Sequence, residues 1–292
     1  MANAEEDFIS TVRAGDRLFA AVSINHFASW WLVDTGASLC EFDLETAKNL
    51  RLKRSAKYRL ILNSKNRGEN FSFVETPDLL VGSVQCGPCV LLAHPLIHAL
   101  SQAEAPARWP GEFERTGLLG MNLLLQKRAL IVWSKHRIYL DPTKDQAPSP
   151  AAYEVEGYKA IPFNITTNRQ IQIEGTLGSN RYQFCLDTGT ARTMLDQSIV
   201  DQERLPSRLT NSVVMSPMKE FGDSKVSRVT ATHFQLGDFD LSHCKILAAS
   251  FHLSQSDRGR IWAGLIGADL LWEYDAVIDL GSNTLYLRSK AG

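Results

Sequence analysis

Two short strings carry the residues best suited to chemistry in this chain of 292 residues. Leu32-Val33-Asp34-Thr35-Gly36-Ala37-Ser38 returns 153 residues later as Cys185-Leu186-Asp187-Thr188-Gly189-Thr190-Ala191. In each, an apolar run ends in a carboxylate followed by a hydroxyl and a glycine. That order suits a tight turn holding the acid rigidly. Gly36 and Gly189 permit positive φ and close backbone approach, and Thr35 and Thr188 can bond local backbone or a partner across an interface. One Asp-Thr-Gly is usually just a turn, whereas two in equivalent places point to a pair of acids. Two carboxyl groups brought together cannot both ionise cheaply, so such a pair holds one shared proton and can serve as acid and base at once. Asp34 and Asp187 are therefore the candidate catalytic residues, with Thr35, Gly36, Thr188 and Gly189 supporting their loops.

The elements that must position these acids repeat along the chain. Arg17 to Val33 reads as two apolar-rich strands around a turn at Asn25-His26, and a short helix is expected over Glu41 to Leu50. Tyr58 to Leu62 and Phe71 to Val74 flank a polar turn, and Leu79 to Gly82 and Val90 to Ala93 flank Cys86-Gly87-Pro88-Cys89. Ile171 to Leu177 and Tyr182 to Leu186 then lead to Asp187 as the first hairpin leads to Asp34. Gly117-Leu118-Leu119-Gly120 matches Gly264-Leu265-Ile266-Gly267, and Ala129, Ile131, Tyr139 and Leu140 match Ala276, Ile278, Tyr286 and Leu287. The small differences in spacing belong in loops, as expected when two copies share one fold. Asp141 to Ala152 contains three prolines and no apolar periodicity. The expected domains are thus 1–141, a linker at 142–152, and 153–292.

Composition bounds the function. Apolar residues make up 44% and charged residues 22%, which is ordinary for a globular protein and argues against disorder. A formal net charge of -1 gives no general attraction to nucleic acid or anionic membranes. The longest apolar runs are too short to span a bilayer. The acidic first residues contain no secretory signal, which fits a cytoplasmic protein and equally a mature exported domain. Five cysteines, an odd number, do not make a disulfide framework.

With these motifs the chain resembles the aspartic peptidases of the retropepsin-like and pepsin-like group. The parts that carry the resemblance are Val33 to Ala37, Tyr58 to Val74 and Leu118-Leu119-Gly120, with Leu186 to Thr190, Val213 to Val226 and Leu265-Ile266-Gly267 in the second copy. The resemblance runs from about Leu18 to Arg288. It implies an all-β fold with short helices, built as two homologous acid-protease-like β-barrel lobes with a cleft between them. The implied function is an aspartic endopeptidase that hydrolyses peptide bonds with a water activated between Asp34 and Asp187. It implies no metal or cofactor, a peptide or protein substrate with apolar residues flanking the cut, and flaps at Asn63 to Asn70 and Met215 to Asp223. It also implies a monomer with pseudo-two-fold symmetry, since one chain carries both halves. Thr190, where pepsin-like enzymes place a hydroxyl bonded to the aspartate, is expected to bias the negative charge toward Asp187. Asn122 stands where the second copy has Asp269, and family lobes often have aspartate there. The alternative is a degenerate lobe pair that binds peptide or scaffolds a complex without cleaving.

Other motifs have plainer readings. Cys86-Gly87-Pro88-Cys89 has thioredoxin-type spacing, but it lies between strands rather than before a helix, so a structural role is expected. His94 and His98 could share a helical face as metal ligands, yet Pro95 and the lack of a third ligand favour a loop. Lys and Arg residues from Arg51 to Lys57 read as a solvated face rather than a nucleic-acid patch.

Overall fold

In the computed structural model, residues 8–56, 71–95, 114–143, 149–214, 224–242, 244–250 and 262–289 are described. Strands dominate, and each helix among these residues is six residues long. Helices that short are marginal in isolation, so packing on the sheets must hold them.

The first half runs β1 (Ile9–Ala14), β2 (Arg17–Ile24), β3 (Phe27–Val33), β4 (Glu41–Asp43), α1 (Leu44–Asn49), β5 (Lys53–Arg54), β6 (Ser72–Val81), β7 (Val84–His94), β8 (Arg115–Leu119), α2 (Met121–Gln126), β9 (Leu130–Val132) and β10 (Arg137–Tyr139). The turn between β2 and β3 is Asn25-His26, both at positive φ (49° and 67°), the backbone twist that two-residue hairpins favour. Strands β2, β3, β8, β4, β7 and β6 pair in that order, and β6 returns to β2, which closes a six-stranded barrel. Its core includes Trp31 stacked on Phe42 with ring centroids 5.3 Å apart, both fully buried. Burying each such ring contributes about 2–3 kcal/mol.

The second half runs α3 (Pro150–Val155), β11 (Lys159–Pro162), β12 (Asn164–Ile165), β13 (Ile171–Leu177), β14 (Asn180–Leu186), β15 (Met194–Asp196), α4 (Gln197–Gln202), β16 (Ser207–Val214), β17 (Ser224–Thr230), β18 (Phe234–Leu236), β19 (Phe239–Asp240), β20 (Lys245–Ala249), β21 (Trp262–Ile266), α5 (Ala268–Glu273), β22 (Val277–Asp279) and β23 (Thr284–Leu287). Its pairings follow the first half. β14 lies parallel to β21 as β3 does to β8, β15 antiparallel to β21 as β4 to β8, and β15 parallel to β20 as β4 to β7. Where β6 is one long strand, β17 pairs with β20 and β18 with β13. Even the helix starts match: Asp43 and Asp196 cap α1 and α4 with their carboxylates, and Gly120 and Gly267 open α2 and α5.

The halves are not separated by a bare linker. β11, β23, β22, β9, β10 and β1 form a continuous antiparallel run, with β22 of the second half in register on β9 of the first. Ser149 caps α3, so residues 150–152, expected in the linker, begin a helix. Tyr153 on that helix stacks on Tyr286 at 4.2 Å and packs with Tyr158, Leu130, Val132 and Val277 over this shared sheet. Apolar burial explains the departure: the proline-rich stretch ends in a tyrosine that has a sheet to cover.

One further expectation changes. Cys86 to Cys89 lies inside β7 rather than at a turn, because Gly82 (φ +57°) turns the hairpin earlier and donates its amide to Ala21. Pro88 is tolerated there because the β6–β7 register slips between Thr76 and Leu79, which leaves the ladder irregular opposite it. The expected strand Tyr58 to Leu62, both expected flap tips and His98 lie outside the described residues.

Candidate active site

Each aspartate is held at the end of a strand by the strand beside it. The Asp34 amide donates to the Leu119 carbonyl on β8, and the Asp187 amide to the Ile266 carbonyl on β21, both at 3.0 Å. Past each aspartate the chain turns so that the amides two and three residues on point back at the carboxylate. Gly36 and Ala37 donate to one Asp34 oxygen at 2.8 and 3.1 Å, and Gly189 and Thr190 to one Asp187 oxygen at 2.9 and 3.2 Å.

The threonines join the two loops, which is the second of the two roles open to them, bonding local backbone or a partner across an interface. The Thr35 amide donates to the Thr188 hydroxyl and the Thr188 amide to the Thr35 hydroxyl, both at 3.0 Å. Each hydroxyl then donates onward, Thr35 to the Leu186 carbonyl at 2.8 Å and Thr188 to the Val33 carbonyl at 2.6 Å. Both threonines are fully buried. Four interlocked bonds in a water-free setting leave no room for the loops to slide, since breaking one strands a buried donor.

The glycines have a reason that φ does not give, for neither Gly36 nor Gly189 has positive φ. A Cβ on Gly36 would lie 2.5 Å from the Asp187 carboxyl carbon, and one on Gly189 would overlap the Asp34 carboxyl in the same way. Each glycine backbone thus forms the floor on which the other half's acid rests.

Burial pushes both acids above the ordinary carboxylate range. Asp34 is raised strongly, by burial first, then by the negative charges of Asp187 and Glu41. In Asp187, burial is opposed by the amides of Gly189 and Thr190, by the hydrogen bond from Asp34 and by the positive charge of Arg17. The surroundings thus raise Asp34 further than Asp187. The bias has a different source from the one expected at Thr190. What reaches Asp187 from Thr190 is its backbone N–H, and Ala37 supplies the same bond to Asp34. The asymmetry comes instead from Glu41 on one side and Arg17 on the other, neither of which stands out by type or motif in the sequence. Glu41 was detectable only by aligning the copies, since its counterpart 153 residues on is Met194.

Behind each loop lies a second pair of contacts. In the second half the Asp269 carboxylate accepts from the Thr193 amide and hydroxyl at 2.7 and 2.8 Å, and that hydroxyl accepts from the Gly267 amide at 3.0 Å. In the first, the Asn122 carbonyl oxygen accepts from the Cys40 amide at 2.6 Å, and the Gly120 amide reaches the Cys40 sulfur at 3.4 Å. Asn122 thus stands where Asp269 does, as the repeat predicts, and Cys40 stands where Thr193 does.

His94 donates or accepts through Nε2 at 2.7 Å from Glu41. No cluster of three or more metal-ligating side chains occurs among the described residues. A cavity of about 580 Å³ lies elsewhere among the described residues, between Lys53, Glu75, Pro77 and Cys89, and includes neither aspartate. No helix among the described residues is long and apolar enough to cross a membrane. Comparison with protein-family models and with curated proteins returned no match.

Proposed function

We propose that the protein is an aspartic endopeptidase whose two homologous β-barrel lobes each contribute one aspartate to a cleft between them. The observation that carries this reading is the reciprocal lock at the loops. Thr35 and Thr188 bond across the two halves, and Gly36 and Gly189 each seat the opposite carboxyl. A merely structural pair of acids has no need to be buried against each other at the cost of raising both pKa values.

The chemistry follows from where the proton rests. Asp187, ionised, takes a proton from a water, while Asp34, protonated, gives its proton to the scissile carbonyl oxygen. The hydroxide adds to the carbonyl carbon and forms a tetrahedral diol. When the diol collapses, Asp187 gives the proton it took from water to the departing nitrogen, one diol hydroxyl returns its proton to Asp34, and the C–N bond breaks to leave an amine and a carboxylic acid. The extended substrate lies across the cleft as an added strand. One chain supplies both acids, so a monomer is the active species.

Incubating the protein with a mixed peptide library from acidic to neutral pH, with and without a statine-type inhibitor, tests this. Inhibitor-sensitive cleavage that Asp34→Asn and Asp187→Asn each abolish is expected, with specific activity independent of protein concentration. Absence of cleavage at every pH would leave peptide binding without hydrolysis.

A further inference from the structure

The walls beside the two aspartates differ in charge. In the first half, Phe19, Leu32, Leu118 and Glu41 stand in register on neighbouring strands β2, β3, β8 and β4. Side chains in register share a face, and Asp34, two residues after Leu32, shares it too. Phe42, next to Glu41, points the other way and stacks on Trp31 in the barrel core. Phe19, Leu32 and Leu118 instead form a separate apolar cluster with Ala37 of the catalytic loop. Glu41 therefore stands in a row on the face that carries the acids, with Leu92 of β7 beyond it. In the second half the equivalent row is Gln172, Cys185, Leu265 and Met194.

We propose that Glu41 makes this site select peptides with a lysine or arginine side chain within two residues of the scissile bond, on the Asp34 side. The proposal rests on the peptidase reading. The Glu41 side chain is only 22% exposed and is fixed by the Nε2 of His94, itself buried. The second half has lost the carboxylate and the imidazole together, since Ala249 stands in the strand position that matches His94. A substrate strand laid over Glu41 removes its remaining water. An apolar side chain there would leave a desolvated carboxylate facing nothing, whereas an ammonium or guanidinium group pairs with it. The charge of Glu41 is also felt by Asp34, which places it close to the reacting atoms. The cations of that face, Arg17 and Arg115, belong to the Phe19 side, with Arg115 over the Phe19 ring. Three strand spacings, roughly 14 Å, separate Phe19 from Glu41. Against Met194 the same argument gives an apolar side chain on the Asp187 side.

The experiment compares peptides that differ only in having Lys, norleucine or Glu at each of the positions flanking the cut. For the wild type, kcat/KM should favour Lys over norleucine at one position by about tenfold. Glu41→Gln, which keeps a hydrogen-bonding group for His94, should abolish that ratio, and Glu41→Lys should shift it to favour Glu. Cleavage without preference for Lys, or an unchanged ratio in Glu41→Gln, overturns the proposal and leaves the peptidase reading standing. In parallel, binding of the uncut peptides to Asp34→Asn is measured. If the wild type cleaves nothing but Asp34→Asn prefers the Lys peptide and loses that preference with Glu41→Gln, the peptidase reading falls and the Glu41 selectivity stands. If nothing is cleaved and binding does not distinguish the peptides, both fall.

Discussion

The two halves hold the same acid in the same turn with different surroundings. Around Asp187 the support is a carboxylate and a hydroxyl, Asp269 and Thr193, and the cation Arg17 acts on it to lower its pKa. Around Asp34 it is an amide and a thiol, Asn122 and Cys40, and the anion Glu41 acts on it to raise its pKa. The loops themselves coincide to within 0.1 Å in their amide contacts to the aspartates. So geometry is shared while electrostatics diverge. That teaches which features a dyad needs in duplicate: the threonine lock and glycine floor cannot change on one side alone, because each serves the opposite acid. The outer shell serves only its own loop and is free to differ.

The largest effect should come from the shared part. On the reading above, Asp34→Asn and Asp187→Asn should each lower kcat by at least about 10³-fold, because the two acids work as a unit. Retained activity in either variant would break the symmetry at its centre. Replacing either lock threonine should be the next most damaging change. Thr35→Ala and Thr188→Ala each remove a hydroxyl that makes two buried bonds and leave the opposite amide unpaired. Each should destabilise the fold by about 2–4 kcal/mol in denaturant unfolding. The two losses should agree within about 1 kcal/mol, and a large inequality would mean that one half carries the other.

Much of this was legible in the sequence because it is local or repeated. The Asp-Thr-Gly strings, the Asn25-His26 hairpin and the Gly-Leu-Leu-Gly strand before α2 are set by neighbouring residues, and duplication made them visible. What could not be read is what depends on distant partners. Nothing near Leu130 or Val277 says that β9 and β22 pair across the halves, since β-strand partners are chosen by tertiary packing. Of the two reasons expected for the glycines, positive φ does not apply and close backbone approach does, toward a carboxylate 151 to 155 residues away that only the fold brings near. The Glu41–His94 pair has the same character: two unremarkable residues on strands that happen to adjoin.

The pH dependence of stability sharpens the electrostatic side of the comparison. Both acids have folded pKa values raised above the ordinary carboxylate value of about 3.9. The folded state therefore binds more protons than the unfolded chain between that value and the raised pKa values. Stability from this source is fully present below about pH 4 and is lost as pH rises through the folded pKa values. Asp34→Asn removes the more strongly raised acid and the repulsion it causes. The variant should gain stability relative to the wild type as pH rises from about 4 to 7, measured by thermal unfolding of both proteins across that range. A constant difference between them would mean that Asp34 is not held protonated by its surroundings.

The smallest expected effect probes the outer shell by transplanting one half's support into the other. Asn122→Asp alone puts a carboxylate where only the Cys40 amide now donates to it, beside a buried thiol that offers a weak donor. It should destabilise the first half by about 1–3 kcal/mol. Cys40→Thr alone supplies a hydroxyl that can accept from the Gly120 amide, as Thr193 accepts from Gly267, and should change stability by less than about 1 kcal/mol. Together, Cys40→Thr and Asn122→Asp rebuild the arrangement seen at Thr193 and Asp269, where amide and hydroxyl both donate to one carboxylate oxygen. The double variant should recover about 1 kcal/mol or more relative to the sum of the single changes, read as the coupling energy of a double-mutant cycle in denaturant. A new carboxylate behind the Asp34 loop should also raise the proton affinity of Asp34 further, extending activity toward higher pH on the acid-form side. Zero coupling would show that the two supports are not interchangeable, and that the halves have diverged in backbone as well as in side chains.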